Sequence, residues 1–414
     1  MTGRLRRTQH RGIAVPVERL FSEEYWDNAL AIGDALRERA PVHQAVLPNG
    51  VRAWVITRYD DARAALVDPR LRKDAPKLNA IQRRQLEAAG VSTDLSHLFD
   101  PHMLFRDGPE HARLRAPVAA EFTARRVEGL RPRIRELAAG LADALPTDRA
   151  VDLVDAFSFP LPLTVICELL GVPELERRPL REWTTGLMQD HPDQTGPASR
   201  AMAAFLESLI EDKRHTPGDD LISSLVSPSG TADRLQPEEI LSTVFLMVVA
   251  GHETTANLIT NSVRWLLDDA RRWSSLAQNL DAIPAAINEV LRFDSPVRMA
   301  TYRFTAEPVT IGETVIPQDE IVFVSLQTAN RDHCRFAEAG TFDPGRDARG
   351  HLSFGRGPHF CLGRGLALAE AEVALTELIT RFPHARLAVP AGELRRQHSA
   401  IMNSYRALPV RLAS

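Results

Sequence analysis

Ten residues near the end of the chain, FGRGPHFCLG (354–363), set one cysteine among three glycines. A thiolate is a strong, soft metal ligand. To hold a metal alone it needs a fixed sulfur and a covered approach. Gly355 and Gly357 permit backbone angles and close contacts that a side chain forbids, and Gly363 lets the following helix begin close against something flat. Amides at that helix start would point toward the Cys361 sulfur and stabilise its negative charge. Three other readings compete. Burial as a structural residue is the common fate of a free cysteine, but it does not call for positioned glycines. Zinc needs a second Cys or His at ligand spacing, and none lies nearby. The GRG triplet suggests a dinucleotide loop, yet no apolar strand of suitable length precedes it and the full fingerprint is missing. A lone axial thiolate on haem iron remains.

Other stretches carry chemistry of their own. AGHETT (250–255) interrupts an apolar helical run with an acid, Glu253, and a hydroxyl, Thr254, beside Gly251, which thins the helix. A threonine inside a helix can bond the carbonyl four residues back and bend or widen the helix. EVLR sets Glu289 and Arg292 one turn apart, which alone reads as a surface pair worth ~0.5 kcal/mol or less. HARLR sets His111 and Arg115 on one helical face, and alone it reads as a solvated basic face.

Together these stretches resemble the cytochrome P-450 family. FGRGPHFCLG looks like its haem-binding signature, matching Phe354, Gly355, Gly357, His359, Cys361 and Gly363. AGHETT resembles the oxygen-activation motif, EVLR the Glu-x-x-Arg motif, FDPGR (342–346) the later segment that meets it, and HARLR the propionate-binding helix. The likeness runs from Ala40 to the end of the chain. LFRDGPEH departs a little, with Arg106 and Gly108 at positions usually apolar or proline.

The resemblance implies haem b (iron protoporphyrin IX) ligated by Cys361. Phe354, Gly355 and Gly363 would lie on the thiolate side, Ala250 and Gly251 on the other. Thr254 and Glu253 would be catalytic, serving dioxygen and its protons. His111, Arg115, Arg298 and His351 would hold the propionates through charge-assisted hydrogen bonds. Glu289, Arg292 and Arg346 would form a buried triad that fixes the loop beneath the haem, a specificity role more than a gain in stability. Val248, Met299, Ala300, Ile401 and Met402, with residues 76–105 and 188–191, would line a mostly apolar pocket. The implied activity is a haem-thiolate monooxygenase inserting one atom of O2 into a small organic substrate. Tailoring of a secondary metabolite, such as a polyketide, terpene or peptide, is the leading substrate reading, with the substrate free or tethered to a carrier protein. Electrons would come from NAD(P)H through a ferredoxin or flavodoxin-like donor, with Arg356 and Arg364 on a docking face. Two alternatives are a peroxide-using haem-thiolate oxidase or coupling enzyme and a non-catalytic haem sensor. The Glu253–Thr254 pair argues against both, since a proton relay is needed mainly for dioxygen.

The elements that must position these residues are mostly helical. Residues 110–121, 132–145, 160–170, 174–189 and 197–214 read as helices, and the longest candidate starts at Pro237, with Glu238 and Glu239 favouring its positive dipole end. It is apolar nearly all round through Val249 and should cross the core. Residues 284–294 and 362–380 are further helices. Residues 52–57 alternate as a strand, and a short helix follows from Tyr59. Residues 74–105 read as irregular, with a weak helical pattern around 81–89. Short strands are expected at 297–304, 309–312, 314–317 and 320–327. The expected architecture is mostly α with a small β-rich subdomain, the cytochrome P-450 fold, with haem between the long central helix and the Cys loop and C-terminal helix. One domain over 1–414 is expected, with 1–20 a flexible segment.

Composition narrows the function further. Fifty basic against 54 acidic residues leave a net charge of −4, which gives no electrostatic case for nucleic acid or an anionic membrane. Three cysteines in 414 residues point to a reducing compartment rather than a disulfide framework. No signal peptide and no run of ~18 apolar residues is visible, so the expectation is a cytoplasmic protein without membrane contact.

Overall fold

The computed structural model describes residues 17–18, 20–47, 50–88, 90, 102–188, 192–227 and 235–413. The chain begins with β1 (Val17–Glu18), α1 (Glu23–Arg39), β2 (Val42–Val46), β3 (Arg52–Ile56), α2 (Tyr59–Ala65), β4 (Leu71–Arg72) and α3 (Ala75–Ala88). Next come α4 (Gly108–Ala119), α5 (Ala124–Asp143), β5 (Ala150–Asp152), α6 (Pro160–Leu170), α7 (Arg177–Met188), α8 (Pro192–His215) and α9 (Leu221–Val226). The second half holds α10 (Pro237–Leu267), α11 (Ala270–Gln278) and α12 (Ile283–Phe293). It continues with β6 (Arg303–Thr305), β7 (Val309–Ile311), β8 (Thr314–Ile316), β9 (Ile321–Val324), α13 (Leu326–Ala329), α14 (Arg364–Arg381), β10 (Arg386–Leu387) and β11 (Pro409–Arg411).

Helix α10 organises the core. At 31 residues it is about 46 Å long at 1.5 Å per residue. Gln236 and Glu239 form a capping box at its start, and Pro237 takes the first-turn position where its missing N–H costs nothing. It packs against α6, α8, α12 and α14, and α14 packs in turn on α5. One apolar cluster joins the second half of α10 to α5, α12 and α14, and another joins its first half to α6, α8 and α9. The strands form a six-stranded sheet ordered β1-β2-β3-β9-β6-β4, a three-stranded sheet ordered β10-β11-β5, and the hairpin β7-β8.

Several boundaries differ from the sequence expectation. Residues 75–88 form α3, a regular helix with Ala75, Leu78, Ile81 and Leu86 buried on one side. The helices expected to start at Pro132 and Pro197 begin earlier, because both prolines lie inside α5 and α8. Pro132 is exposed, so its lost hydrogen bond faces water while Ile134 and Ala138 keep the helix seated. Of the segment expected to be flexible, Val17 and Glu18 pair in parallel with β2, and Leu20 is buried. The parts of residues 76–105 and 188–191 that cover 89, 91–101 and 189–191 lie outside the described residues.

Candidate active site

The cysteine loop is built by its backbone. Gly355 N–H donates to Leu352 O at 2.7 Å, and Cys361 N–H donates to Phe354 O at 2.8 Å, closing the loop on itself. Gly355 and Gly357 take φ of 70° and 74°, left-handed values that suit glycine. A Cβ on Gly357 would also come 2.7 Å from Val67 Cγ1. The N–H groups of Gly363 and Arg364, at the entry to α14, bond the Cys361 sulfur. Burial pushes the Cys361 thiol up, while those amides and the positive charges of Arg115 and Arg364 act the other way. The residue is nonetheless solvent-accessible. A Cβ on Gly363 would meet open space, as the seat of a flat group requires.

Across the core, α10 is buried along most of its length, but Ala250 is exposed and Thr254 partly so. These two share a face one turn apart. Thr254 Oγ1 donates to Ala250 O at 2.9 Å, the i−4 bond expected of a mid-helix threonine. Glu253 is 6% exposed with no carboxyl hydrogen bond among the described residues, and burial pushes its pKa up to about 8, so it holds its proton at neutral pH. His252 is buried; its Nδ1 sits 2.6 Å from Val248 O, its ring packs 5.1 Å from Phe159, and burial lowers its pKa to about 4. Leu362, next to the cysteine, packs against the cluster that holds residues 244–249 of α10, which ties the two halves of the site together.

Two expected residues have other jobs. The space where Gly251 would carry a Cβ is taken by Ile166 of α6, with Cδ1 at 3.0 Å. A side chain at Gly251 would therefore collide with the α6–α10 contact. Val248 has no exposed surface and belongs to the helix–helix core. The face of Ala250 and Thr254 continues instead through Met247 and Leu246. Met299 bridges to Ser325 and Met402 to Val297, so both are held by strand-like pairing, with Ala300 and Ile401 half-buried beside them.

The cationic residues fall into three groups. Arg115, half-buried, donates to Phe360 O at 2.7 Å and lies against the cysteine loop. His111 is buried, its ring 4.4 Å from that of His359, and its Nε2 has no partner among the described residues. His351 is half-buried, accepts from Ser353 N–H at 3.3 Å, and is held neutral with a pKa of about 4 by burial and by Arg364 and Arg292. Arg298 stands apart from His111. Its Nε donates to Met402 O at 3.0 Å and its Nη2 to Asn403 Oδ1 at 2.9 Å, against the Trp26 and Tyr25 rings. Arg303 acts on His359, as do Asp107, Lys73 and His111, and Asp107 acts on Arg303 in turn. Sequence spacing missed Arg303, because β6 turns this part of the chain toward β4. Buried nitrogens without partners among the described residues, Arg303 Nε, His111 Nε2 and Arg298 Nη1, fit a group that brings carboxylates.

Beneath the loop, Glu289 and Arg292 are fully buried and joined by two hydrogen bonds of 2.7 Å. Glu289 Oε1 also accepts from Asp343 N–H at 3.0 Å and Arg346 Nε at 3.3 Å. Arg292 donates further to the carbonyls of Asn330, Ala339 and Thr341. The triad expected from EVLR and FDPGR is present, with nearly every donor used, the condition under which a buried ion pair is tolerated.

The family model described as Cytochrome P450 matches residues 266–397. Cytochrome P450 107B1 of Saccharopolyspora erythraea is 45% identical over 90% of this chain and 92% of its own. The chain belongs to the cytochrome P450 family. A second P450 from that organism, 6-deoxyerythronolide B hydroxylase, is 41% identical over 91% of this chain and 94% of its own. The structure of the tirandamycin C-bound P450 monooxygenase TamI superposes with a TM-score of 0.89 at 38% identity, covering 96% of this chain and all of TamI. This P450 is accordingly an oxidoreductase of the monooxygenase class with the P450 fold. The family implies haem, and the exposed Cys361, the open space at Gly363 and the nitrogens unpartnered among the described residues fit it.

Proposed function

We propose that this P450 holds haem b through Cys361 and oxidises a secondary metabolite, a polyketide, terpene or peptide, by inserting one oxygen atom of O2. The observation that carries the reading is the pairing of an exposed, amide-supported Cys361 with a stretch of α10 that leaves Ala250 exposed and Thr254 partly exposed beside a protonated acid. Haem, when bound, supplies dioxygen reduction and oxygen transfer to a C–H bond. The protein supplies position, protons and water control. Glu253 carries a proton at neutral pH in a dry setting, a suitable state for a group that must deliver one. Thr254 spends its hydroxyl proton on Ala250 O at rest, so rotation about χ1 would redirect it toward a ligand. A neutral, buried Glu253 favours the dioxygen reading over a peroxide-using enzyme or a haem sensor, neither of which needs a proton source there.

The substrate class follows the relatives, one named as a hydroxylase of 6-deoxyerythronolide B and another as a monooxygenase bound to tirandamycin C. The pocket proposed is the face of α10 from Leu246 to Thr254 with Ala300 and Ile401, and the substrate is small and apolar, free or carrier-tethered. Electrons come from NAD(P)H through a ferredoxin or flavodoxin-like donor. Exposed Arg356, Arg364 and Phe360 around the cysteine loop suit an acidic partner with an apolar spot. No helix among the described residues is long and apolar enough to cross a membrane, and the proposed location is the cytoplasm. The test is a metabolite library scored by the low- to high-spin change of ferric iron, followed by turnover with a surrogate ferredoxin system. A hit converted to a product one oxygen heavier supports the proposal; tight ligands never oxidised under these conditions contradict it.

A further inference from the structure

Four donors from distant parts of the chain converge on one carboxylate, that of Asp294 at the end of α12. Asp294 is fully buried. Its Oδ1 accepts from Gln327 Nε2 at 3.0 Å and Asn403 Nδ2 at 2.8 Å, and its Oδ2 from Trp265 Nε1 at 2.8 Å and Arg396 Nη2 at 3.0 Å. Burial alone would raise the Asp294 pKa, but the Arg396 charge and the hydrogen bonds bring it down to about 2, so the group stays an anionic acceptor. Asn403, also fully buried, is used as completely. Its Oδ1 accepts from Arg298 Nη2 at 2.9 Å and Arg396 Nη1 at 2.7 Å, and its Nδ2 donates to Asp294 Oδ1 and, at 2.8 Å, to Ser295 O. That fills every hydrogen-bonding position of an asparagine side chain.

The segment that supplies Arg396 and Asn403 also carries a wall of the proposed pocket. It is a hairpin: Arg396 bridges Tyr405, and Gln397 N–H donates to Ser404 O at 3.0 Å. Ile401 and Met402 sit in its tip, where Ser399 Oγ accepts from Met402 N–H at 3.1 Å. The tip is laid along residues 296–298. Arg298 N–H donates to Ile401 O at 2.8 Å, Arg298 Nε to Met402 O at 3.0 Å, and Asn403 N–H to Pro296 O at 2.9 Å. Asn261 is fully buried on α10, about two turns beyond Thr254. It divides its Nδ2 donors between Asp294 O at 3.1 Å and Asn403 O at 2.9 Å. The tip is thus tied to the helix that carries Thr254. A buried polar network with every member satisfied holds one arrangement, because a shift leaves a desolvated group unpaired.

We propose that Asp294 is a positioning residue which, through Asn403, sets the pocket wall at Ile401 and Met402 and so selects which apolar bodies fit the cleft. The inference rests on the pocket reading above, in which Ile401 lines the cleft, and adds a determinant that lies outside the pocket. Asp294 has no oxygen left to offer a ligand, so it acts only through the residues it holds. A loosely held tip would follow the shape of each ligand, whereas a tied one turns away ligands that do not match it. Position matters at this scale, since a displacement of about 1 Å can cost on the order of 10²-fold in rate. The competing reading is a network that only holds the fold together, and it would affect all ligands alike.

The experiment compares holoprotein of the wild type, Asp294→Asn, the double variant Asp294→Asn with Asn403→Asp, and Ile401→Ala. Asp294→Asn leaves the converging donors a single acceptor oxygen. Adding Asn403→Asp moves the carboxylate to the other side of the same hydrogen bond, so the new amide donates to the new acid. The readouts are hydrogen exchange of the peptide 395–406 and spectral titration with imidazole, which needs only the iron, and with 4-phenylimidazole, whose ring meets the wall. Loss of buried charge-assisted hydrogen bonds predicts peptide exchange ~10–100-fold faster in Asp294→Asn. Loss of the apolar contact predicts 4-phenylimidazole binding ~5–10-fold weaker, with imidazole binding unchanged. The double variant should recover most of both. Unchanged exchange in Asp294→Asn, equal weakening of the two azoles, or no recovery in the double variant overturns the proposal. Ile401→Ala tests the pocket reading by itself: it should weaken 4-phenylimidazole and leave the exchange unchanged, and wild-type affinity there means that Ile401 does not line the cleft. If Asp294→Asn takes up no haem, Asn261→Ala, which cuts only the tie to α10, decides the matter by the same two signatures.

Discussion

Glu253→Gln keeps the shape of a buried side chain and removes its ionisation. Burial raises the Glu253 pKa from 4.5 to about 8, so between these values the folded protein holds a proton that the unfolded chain has released. The folded value lies above the unfolded one. The stabilisation is therefore complete below about pH 4.5 and is lost as pH climbs toward 8, at ~1.4 kcal/mol per pH unit. From pH 5.5 to 7.5 the loss is about 3 kcal/mol. Glu370 is also buried with its pKa raised well above the ordinary carboxylate value, but it is present in both proteins and cancels in their difference. The assay is urea unfolding by tryptophan fluorescence at a series of pH values, taken as wild type minus variant. The difference should move against the wild type by about 3 kcal/mol over that range. A flat difference would mean that Glu253 is ionised or solvated and would remove the argument for it as a proton source. Product formed per electron should also fall in the wild type as pH approaches 8.

Thr254→Ala should leave haem bound but divert electrons to peroxide, read as the ratio of product to NAD(P)H consumed; unchanged coupling would refute the role of the hydroxyl. Gly251→Val should cost about 1–3 kcal/mol by overpacking against Ile166. Adding Ile166→Ala should restore part of it, whereas a cofactor-facing glycine would show no such rescue. Glu289→Gln leaves the fully buried Arg292 without its counter-charge and should cost about 3–5 kcal/mol with loss of haem content. A stable, haem-replete variant would contradict the structural part given to the triad.

How much was legible depended on whether the chemistry was local. The cysteine loop could be read because its geometry is written in adjacent residues: Gly355 and Gly357 do take left-handed angles, and Cys361 does receive the first amides of α14. Thr254 bonding Ala250 O is likewise a property of one helix turn. The Glu289–Arg292–Arg346 triad spans distant segments and was reachable only through resemblance. What could not be read was set by tertiary neighbours. That Ile166 of α6 lies against Gly251 is one such contact between distant segments. Val248 and Met247 are adjacent in sequence, and only the packing of α10 shows that Val248 is fully buried. The Asp294–Asn403 hydrogen bond joins residues 109 positions apart, and no local pattern marks either of them. Pro132 and Pro197 mark helix starts by local preference, but packing of the surrounding turns carries α5 and α8 through them.

The most direct test of the account is the spectrum of the reduced protein under carbon monoxide. Thiolate ligation by Cys361 predicts a band near ~450 nm, abolished in Cys361→Ala. A band near ~420 nm in undamaged protein, or a ~450 nm band surviving without Cys361, would contradict it.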